Sequence, residues 1–416
     1  MSDLSYMDKL LDGVEIEWKE LWQVTTWDKK FNAVEREKQP NVIKYHYFLA
    51  KDLKSLALEN GDVKLLTTNS SDIWTSEELA GDKISEGEII AIPWGGNAIV
   101  QYYKGKFVTT DNRIATSTDK KILSNKFLYY YLLSQIDLVS SFYRGSGIKH
   151  PSMYDVLHIS IPIPPISVQA EIVRILDTFT ELTAELTAEL TARQQQYAYY
   201  RDQLLTFEEG DAVWKKLGDV AKKISSGGTP KTGIAEYWDG GTIPWMSSGE
   251  VNLKSVYETE KYITESGLKN SSAKIVPKNS IVIALAGQGT TRGKVARTRI
   301  DLTTNQSLAF LTFDEAEINS DYVYYFLETQ YENLRQISSG SGTRGGLNLK
   351  MISNYEIPIP VLAEQKRIVS ILDKFDVLTT SLTEGLPREI ELRQQQYEYY
   401  RDLLLSFPKP EVVTHD

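Results

Sequence analysis

Ile161-Pro-Ile-Pro164 begins a stretch that passes through Arg193-Gln-Gln-Gln-Tyr197 and ends at Leu204-Leu-Thr-Phe207. Almost the same sequence returns in the second half of the chain, where Ile357-Pro-Ile-Pro360 precedes Arg393-Gln-Gln-Gln-Tyr397. The two openings are 196 residues apart, so the chain is an internal duplication. Two similar lobes connected through two similar helices are suited to contact one extended partner at two places.

The duplication extends into the lobes. Three further pairs of segments keep their order and lie 194 to 196 residues apart: Trp18-Lys-Glu-Leu21 with Trp214-Lys-Lys-Leu217, Thr109-Thr-Asp-Asn112 with Thr303-Thr-Asn-Gln306, and Phe127-Leu-Tyr-Tyr-Tyr-Leu132 with Tyr322-Val-Tyr-Tyr-Phe-Leu327. We therefore expect the lobes to share a fold and to differ in most surface residues. A partial third copy, Tyr6-Met-Asp-Lys-Leu-Leu11, predicts a helix stub within residues 1–12 that packs near the distal helix in a circular arrangement.

The composition is that of a folded protein. Of 416 residues, 41% are hydrophobic and 11% are aromatic, which is ordinary for globular domains. The absence of cysteine excludes disulfides and thiolate metal sites and indicates a reducing cytoplasm. The first residues do not form a signal peptide, and no apolar run is long enough to span a membrane. We expect a cytoplasmic protein without a membrane partner.

Acidic residues are in excess, and the formal net charge is −10. The signs are unevenly distributed, because residues 292–299 contain four basic side chains while the first repeated helix is acidic. For nucleic acid to bind, only the electrostatic potential near the binding groove must be positive. The acidic total nevertheless predicts weak DNA affinity for the isolated chain, with basic partners neutralising much of the phosphate charge.

Apolar residues recur three and four positions apart from Val168 to Phe207, which predicts one long helix with a heptad-like stripe. Forty residues at about 1.5 Å each give a rod of roughly 60 Å. The second copy spans 363–407 and contains Gly385 and Pro387, which we expect to kink or briefly break it. The two helices are predicted to pack as an antiparallel coiled coil and to bind partners through these side chains: Leu176, Phe179, Leu186, Leu190, Tyr197, Tyr200, Leu204, Leu372, Phe375, Leu382, Tyr397, Tyr400 and Leu404.

The first helix contains a tetrapeptide repeat, Leu182-Thr-Ala-Glu-Leu-Thr-Ala-Glu-Leu190. Each unit lengthens a helix by about 6 Å, which is nearly two base pairs at the ~3.4 Å rise of duplex DNA. Two interpretations remain open. The tract is either plain helix-forming sequence or a ruler whose length sets the separation of the lobes.

Each lobe is predicted to be mixed α/β, so the fold class is α+β. Glu88-Ile-Ile-Ala-Ile92 and Ser280-Ile-Val-Ile-Ala-Leu285 resemble short strands, and residues 123–139 and 318–334 resemble buried helices. Proline disfavours helix at its own position and at the preceding one. The two Ile-Pro-Ile-Pro segments are therefore expected to be extended and to act as stiff hinges between lobe and helix.

Nothing in the sequence predicts catalysis. Gly340–Gly345 matches the pattern G-x-G-x-x-G but follows a predicted helix instead of a strand, and Gly287–Lys294 lacks phosphate-loop spacing. The four histidines show no metal-ligand spacing, and no nucleophile is accompanied by a base. We expect no catalytic residue, no metal site and no cofactor bound by this chain.

The remaining chemistry is that of DNA binding. In the second lobe, Gly227-Gly-Thr-Pro230, Tyr237-Trp238 and Ile243–Ser248 combine turn residues, aromatics and hydroxyls. Arginine and amide side chains can read base edges in a groove. For loop cations a solvated surface is the alternative, and for Trp238 and Trp245 it is core packing. The predicted DNA contacts are Trp94, Asn97, Arg113, Tyr143, Arg144, Lys149, His150, Thr229, Ser247, Ser248, Gln288, Thr291, Arg292, Lys294, Arg297, Arg344 and Asn348.

Together these motifs resemble the specificity subunits of type I restriction-modification systems, in the branch with Thr-Ala-Glu-Leu repeats. The resemblance implies target recognition domains at 1–158 and 208–356, a central spacer helix at 159–207, and a distal helix with tail at 357–416. It also implies a bipartite, asymmetric DNA site and docking of two adenine-methyltransferase subunits, with restriction subunits joining through them. S-adenosylmethionine, ATP and Mg²⁺ would be bound by those partners. The first lobe lacks the Gly-Gly-Thr-Pro and Tyr-Trp motifs of the second, so its contacts rest on position and side-chain type.

Two other function classes stay open at this point. One is an enzyme with an unrecognised catalytic site, such as a fused modification enzyme or nuclease, which intrinsic S-adenosylmethionine binding would reveal. The other is a DNA-mimicking inhibitor, which the acidic total suggests. A mimic requires carboxylates spaced along a DNA-like surface, whereas the lobe loops are basic.

Overall fold

The computed structural model describes residues 10–11, 13–287, 291–338, 346–381 and 383–408. The chain divides into two compact units. Unit 1 comprises Met1–Thr187 with Glu389–Asp416, and unit 2 comprises Ala188–Arg388. Each unit therefore combines one lobe with segments of the two long helices. The division into four functional segments stays a prediction.

Unit 1 begins with the first lobe. Its strands are β1 Glu17–Glu20, β2 Thr25–Trp27, β3 Val63–Leu66, β4 Trp74–Thr75, β5 Ser85–Pro93, β6 Gln101–Thr109, β7 Asn112–Ser117, β8 Tyr143–Arg144, β9 His150–Pro151 and β10 Ser160–Ile163. Its helices are α1 Leu21–Val24, α2 Ala50–Lys54, α3 Glu77–Ala80, α4 Asn125–Ser134, α5 Ile136–Ser141 and α6 Met153–Leu157, followed by the long helix α7 Ile166–Leu204.

The first lobe is built on one six-stranded sheet with the order β2-β7-β5-β6-β3-β4. One face of this sheet packs against α4, whose Phe127 and Leu128 are fully buried. The same core includes Ile172 and Leu176 of α7 and Leu404. The lobe and the long helices of unit 1 therefore share one hydrophobic core.

Unit 2 contains the second lobe. Its strands are β11 Val213–Lys216, β12 Lys223–Ser226, β13 Ile243–Met246, β14 Ser255–Val256, β15 Lys261–Ile263, β16 Ile275–Val276, β17 Ile281–Ala284, β18 Val295–Thr298, β19 Leu302–Thr304, β20 Leu308–Thr312 and β21 Glu356–Ile359. Its helices are α8 Leu217–Val220, α9 Glu265–Lys269, α10 Ser320–Thr329, α11 Tyr331–Ile337, α12 Leu349–Ser353 and α13 Leu362–Thr380. The helix α14 Leu386–Leu404 completes the chain order.

The second lobe has two sheets of four or more strands where the first lobe has one. Their orders are β12-β20-β17-β18-β14 and β15-β13-β19-β16. The helix α10 lies against the first of them, and its Tyr322 and Val323 are fully buried. The order and the directions of β12-β20-β17-β18-β14 repeat those of β2-β7-β5-β6-β3, so the expectation that the lobes share a fold is confirmed. The sheet β15-β13-β19-β16 has no four-stranded counterpart in the described part of the first lobe.

The Ile-Pro-Ile-Pro segments are strands in both units. β10 pairs antiparallel with β1, with Trp18 opposite Pro162, and β21 pairs with β11, with Trp214 opposite Pro358. The prediction of extended backbone is confirmed, but the segments predicted as stiff hinges are paired strands. Proline has no backbone N–H to donate. It is tolerated here because each of these strands pairs on one side only, so its other side requires no hydrogen bond.

The two long helices differ in continuity. α7 runs unbroken for 39 residues. Its counterpart is interrupted between α13 and α14, where Gly385 adopts φ +87°. A Cβ at Gly385 would lie 2.5 Å from the Val377 carbonyl oxygen, so a larger residue would force that turn apart. The predicted break is confirmed.

The helix segments pack antiparallel within each unit, as predicted. Phe179 stacks on Tyr400 at 5.3 Å in unit 1, and Tyr200 stacks on Phe375 at 6.0 Å in unit 2. The predicted stripe is graded in burial: Leu176, Leu372 and Leu404 are buried, Phe179, Leu186, Leu190, Tyr197, Leu204, Phe375 and Tyr397 are half-buried, and Tyr200 and Tyr400 are 39% and 40% exposed. Leu382 lies outside the described residues.

Two smaller features complete the fold. Most of the predicted stub at 1–12 lies outside the described residues, but Leu10 and Leu11 pack against the core of unit 1. That core also contains Leu405 and Phe407 from the end of the distal helix. Among the residues that the structure describes, no helix has the length and apolar character to cross a membrane.

Candidate nucleic-acid interface

In unit 1 the loop after β5 lies against the β8–β9 hairpin. The Gly96 amide donates to the Lys149 carbonyl at 2.9 Å, and His150 Nδ1 lies 2.7 Å from the Trp94 carbonyl oxygen. A Cβ at Gly95 would come within 2.9 Å of a hairpin side chain, so glycine permits the close approach. The structure thus brings the predicted residues 94–97 and 144–150 together.

Cationic and aromatic side chains surround the Trp94 ring. The Arg113 guanidinium lies 4.4 Å from the ring centroid, Lys29 Nζ lies 5.7 Å away, and the His150 ring is at 5.4 Å. Burial, together with the positive charge of Arg113, lowers the pKa of Lys29. Lys29 is absent from the predicted contacts because it lies 65 residues before Trp94 and in no repeated segment.

The predictions for Arg113 and Tyr143 as DNA contacts are corrected. Arg113 is 4% exposed and lies 3.6 Å from the buried carboxylate of Asp28. Burial raises the pKa of Asp28, although hydrogen bonds from Tyr47 and from the Ile114 amide oppose the shift. Tyr143 is also buried, and its hydroxyl donates to a backbone carbonyl at 2.7 Å. Both side chains support the loop from inside instead of reaching solvent.

Four predicted side chains of unit 1 do reach solvent. Asn97, Arg144, Lys149 and His150 are exposed, and Trp94 is half-buried beneath them. Arg144 Nη2 lies 3.0 Å from a carboxylate oxygen of Asp155, and because the Arg144 side chain is 71% exposed, this ion pair is a weak one. This exposed group combines amide and cationic donors above an aromatic ring, the side-chain types that contact base edges and phosphates.

In unit 2 the Gly-Gly-Thr-Pro loop is fixed by close contacts. A Cβ at Gly227 would lie 2.0 Å from the Thr304 carbonyl oxygen, and one at Gly228 would lie 2.2 Å from Ser272. Both positions therefore require glycine. The half-buried Thr229 donates its hydroxyl to the Gln306 side chain. This contact joins the first motif of the lobe to the loop after β19.

The tryptophans of the second lobe are structural. Trp245 is 6% exposed, its Nε1 donates to the Gly228 carbonyl at 3.0 Å, and its ring meets Trp238 edge-on at 5.1 Å. Core packing is thus the right interpretation for Trp245, with Trp238 half-buried against it. Ser247 caps the 3-10 turn Ser248–Leu253, and Ser248 is half-buried at its start.

The turn before β18 presents a second group of predicted residues. Thr291, Arg292 and Lys294 are half-buried, and Lys294 Nζ donates to Asn252 Oδ1 at 2.7 Å. Lys294 also lines a cavity of about 190 Å³ beside Asn252. Asn348 is exposed but caps α12, since its Oδ1 accepts from the Met351 amide at 2.9 Å. Gln288 and Arg344 lie outside the described residues.

The prediction that Arg297 contacts DNA is corrected. Its side chain is 5% exposed and its guanidinium lies 3.2 Å from Asp321 and 3.1 Å from Asp373. Burial opposes its ionisation, but the surrounding tyrosines and carboxylates hold its pKa above the ordinary value. The charge of Arg297 is therefore paired inside the protein and does not face solvent. Within the part of the chain that the structure describes, no cluster of three or more His, Asp or Glu side chains could hold a metal ion.

Known proteins share this sequence and fold. The chain matches the family described as "Type I restriction modification DNA specificity domain" over residues 34–193 and 210–392. It is 39% identical over 430 residues to the type I restriction enzyme EcoR124I/EcoR124II specificity subunit of Escherichia coli, covering 100% of both chains. It is 33% identical over 427 residues to a putative type I restriction enzyme specificity subunit of Haemophilus influenzae, covering 97% of this chain and 98% of the relative.

A solved structure shows the same fold. The S subunit of a type I restriction-modification system from M. genitalium has a TM-score of 0.60 at 18% identity, covering 96% of this chain and 98% of that one. At this identity the likeness concerns the fold, while the family rests on the sequence matches. The resemblance seen in the motifs is confirmed, and the chain belongs to the family of type I restriction-modification DNA specificity subunits.

Proposed function

We propose that this chain is a non-catalytic subunit whose two lobes each read one half of a bipartite, asymmetric DNA site. The observation that carries the proposal is a repeated framework that bears dissimilar loop sequences and, in the second lobe, an additional four-stranded sheet. The strands that pair beside the long helices and five strands of the main sheet recur in both lobes. The Gly-Gly-Thr-Pro and Tyr-Trp motifs and the sheet β15-β13-β19-β16 belong to the second lobe. A repeated framework supports two similar docking events on one duplex, and dissimilar loops support two different half-sites.

We propose the partners and cofactors that the resemblance implies. Two adenine-methyltransferase subunits would dock on the helices, and restriction subunits would join through them. S-adenosylmethionine, ATP and Mg²⁺ would be held by those subunits. The net charge of −10 agrees with this division, because an acidic chain needs basic partners to bind DNA tightly.

The deciding experiment compares the chain alone with the chain bound to its modification subunits. Both are incubated with random-sequence duplex DNA, and the methylated adenines are located by sequencing. A bipartite motif methylated only by the complex supports the proposal and identifies both half-sites. Methylation by the lone chain would reveal a catalytic centre of its own, and absence of any sequence preference would favour a scaffold or a DNA mimic.

The exposed group of unit 1 gives a first prediction. Lys149→Ala should weaken DNA binding by the complex about three- to tenfold on all sequences and lower the salt slope by about 1, because it removes one phosphate contact. Asn97→Ala should instead relax the choice at one base pair, by about 1–3 kcal/mol. Fluorescence anisotropy at several salt concentrations separates the two effects. Lys51→Ala, an exposed lysine of α2, is the control, and equal losses from Lys51→Ala and Lys149→Ala would remove the hairpin from the interface.

The tyrosine pairs of the long helices give a second prediction. Tyr199 and Tyr399 occupy equivalent positions on α7 and α14 and are 59% and 51% exposed. Exposed tyrosines commonly anchor protein interfaces. Tyr199→Ala or Tyr399→Ala should each weaken one modification subunit about tenfold, or ~1.4 kcal/mol. Analytical ultracentrifugation should then show complexes with one such subunit in place of two.

Tyr154→Ala is the matched control, because this lobe tyrosine is 44% exposed. The variant with both helix tyrosines replaced should bind neither subunit at concentrations that saturate wild type. Undiminished binding of two subunits by that double variant would place docking elsewhere on the chain.

A further inference from the structure

Each long helix carries a buried glutamine that holds its lobe. Gln169 and Gln365 are 196 residues apart and both are fully buried. Their Oε1 atoms accept from the backbone amides of Ser124 and Asn319, the residues that cap α4 and α10, at 2.9 Å in both units. Their Nε2 atoms donate to the last proline carbonyl of the Ile-Pro-Ile-Pro segment at 2.8 Å. One side chain thus joins helix, lobe and connecting strand.

A second shared contact lies eight residues further along each helix. The hydroxyl of Tyr130 donates to Asp177 Oδ1 at 2.6 Å in unit 1, and the hydroxyl of Tyr325 donates to Asp373 Oδ1 at 2.5 Å in unit 2. Burial, reinforced by these hydrogen bonds, raises the pKa of both tyrosines, so the hydroxyls stay protonated donors. The glutamine and the aspartate together fix two points of each lobe to its helix.

The basic side chain that pairs with this aspartate differs between the units. In unit 1, Lys126 of α4 lies 2.6 Å from Asp177, and its side chain is 33% exposed. The equivalent position of α10 is Asp321, an acid. In unit 2 the cation is Arg297, which belongs to β18 and therefore to the five-stranded sheet of the second lobe.

Arg297 bridges three elements of unit 2. Nη1 lies 3.2 Å from Asp321 of α10 and 3.1 Å from Asp373 of α13, and Nη2 lies 3.3 Å from Asp376 one turn further. Nε donates to Ser255 Oγ at 2.8 Å. A planar guanidinium with partners on several sides has a fixed orientation, which a lysine ammonium would not have.

We infer that the joint formed by Arg297, Tyr325, Asp373 and Asp376 is a positioning device that sets how strictly the complex measures the distance between its two half-sites. This inference rests on the proposed bipartite reading. A long helix can define a distance only if each lobe is rigidly attached to it. In the second lobe the cation paired with the helix aspartates comes from the recognition sheet, whereas in the first lobe the equivalent cation, Lys126, comes from α4.

The test uses the chain assembled with its modification subunits. Duplexes carry both half-sites, as identified for wild type, with spacers from two base pairs shorter to two longer than the preferred one. The measured quantity is the ratio of initial methylation rates at the preferred spacer and at its nearest neighbours. Asp376→Asn removes one carboxylate charge of the joint, and Tyr325→Phe removes one hydrogen bond. Both variants leave the other contacts in place and should fold.

The spacer ratio should fall about tenfold in each variant, with base preferences in both half-sites unchanged. Arg367→Gln is the matched control, because Arg367 lies on the same helix in a solvent-exposed pair with Glu364 and should leave the ratio as in wild type. Lys126→Gln tests the asymmetry and should have a smaller effect than Asp376→Asn.

Three outcomes would overturn the inference. One is a spacer ratio within about twofold of wild type for both joint variants in assembled complexes. Another is an altered base preference in the second half-site, which would make the joint part of base reading. The third is loss of methylation at every spacer by both variants. Failure of the proposed function is distinguishable, since wild type itself would then yield no bipartite motif.

Discussion

Replacing Arg297 with methionine is expected to lower the free energy of unfolding of unit 2 by about 3 kcal/mol. The guanidinium is almost fully buried, and its removal takes the countercharge from Asp373 and Asp376, while Asp321 keeps its pair with Arg299 at 2.9 Å. Breaking a buried pair from one side is costly because the remaining charge keeps its desolvation penalty. We place the cost at the lower end of the usual range because these carboxylates are 20–42% exposed.

Urea unfolding of the full chain, followed by circular dichroism, measures this loss. Arg367→Met is the control on α13, and its exposed pair with Glu364 should contribute no more than about 0.5 kcal/mol. The burial argument predicts a large difference between the two variants. Equal midpoints for Arg297→Met and Arg367→Met would mean that the buried guanidinium contributes nothing to stability, and the account of the joint would fail with it.

Inserting one Thr-Ala-Glu-Leu unit after Leu190 is expected to lengthen the preferred DNA spacer by one or two base pairs and to leave both half-sites unchanged. Four residues advance a helix by about 6 Å and turn it by about 40° beyond a full turn. One base pair advances DNA by ~3.4 Å and turns it by about 35°. The added length of the helix therefore matches nearly two base pairs, and its added rotation matches that of one base pair. Because the added rotation is only about 40°, the apolar stripe of the longer helix still faces the same side.

A library of duplexes with varied spacers, methylated by the assembled complex, reveals the new optimum. An insertion of four alanines should act like the natural unit if length alone is measured. An insertion of only Thr-Ala would rotate the following helix by about 200° and should abolish assembly, because the stripe would face away from its partner. An unchanged optimum after the four-residue insertions would leave the tract as plain helix-forming sequence.

The helices could be predicted from the sequence because their information is local. The apolar stripe of residues 168–207 has a helical period, and Gly385 with Pro387 marks the interruption between α13 and α14. The duplication supplies the same information twice, since the two Ile-Pro-Ile-Pro segments occur at equivalent points of the two copies. Their pairing with the two tryptophan-containing strands was not predicted, because strand partners are far apart in sequence.

The candidate interface could be predicted only in part, for a related reason. Arg113 and Arg297 look like other loop cations until their acidic partners are known. Asp28 lies 85 residues before Arg113, and Asp373 lies 76 residues after Arg297. Composition does not separate a cation that faces solvent from one that is paired inside. Lys149 and His150, by contrast, are exposed beside the glycine-containing turn of their hairpin, and their contact with DNA stays a prediction.

The pairing of β1 with β10, and of β11 with β21, has an evolutionary consequence. In each lobe the chain enters and leaves on two adjacent antiparallel strands. The segment between them can therefore be replaced while its two ends keep their positions. Recombination at the codons of these strands would exchange a complete lobe while sparing Gln169, Gln365 and the helices. Under the proposed function, a bacterial lineage could thereby acquire a new methylation pattern in one genetic event and keep the rest of its restriction machinery.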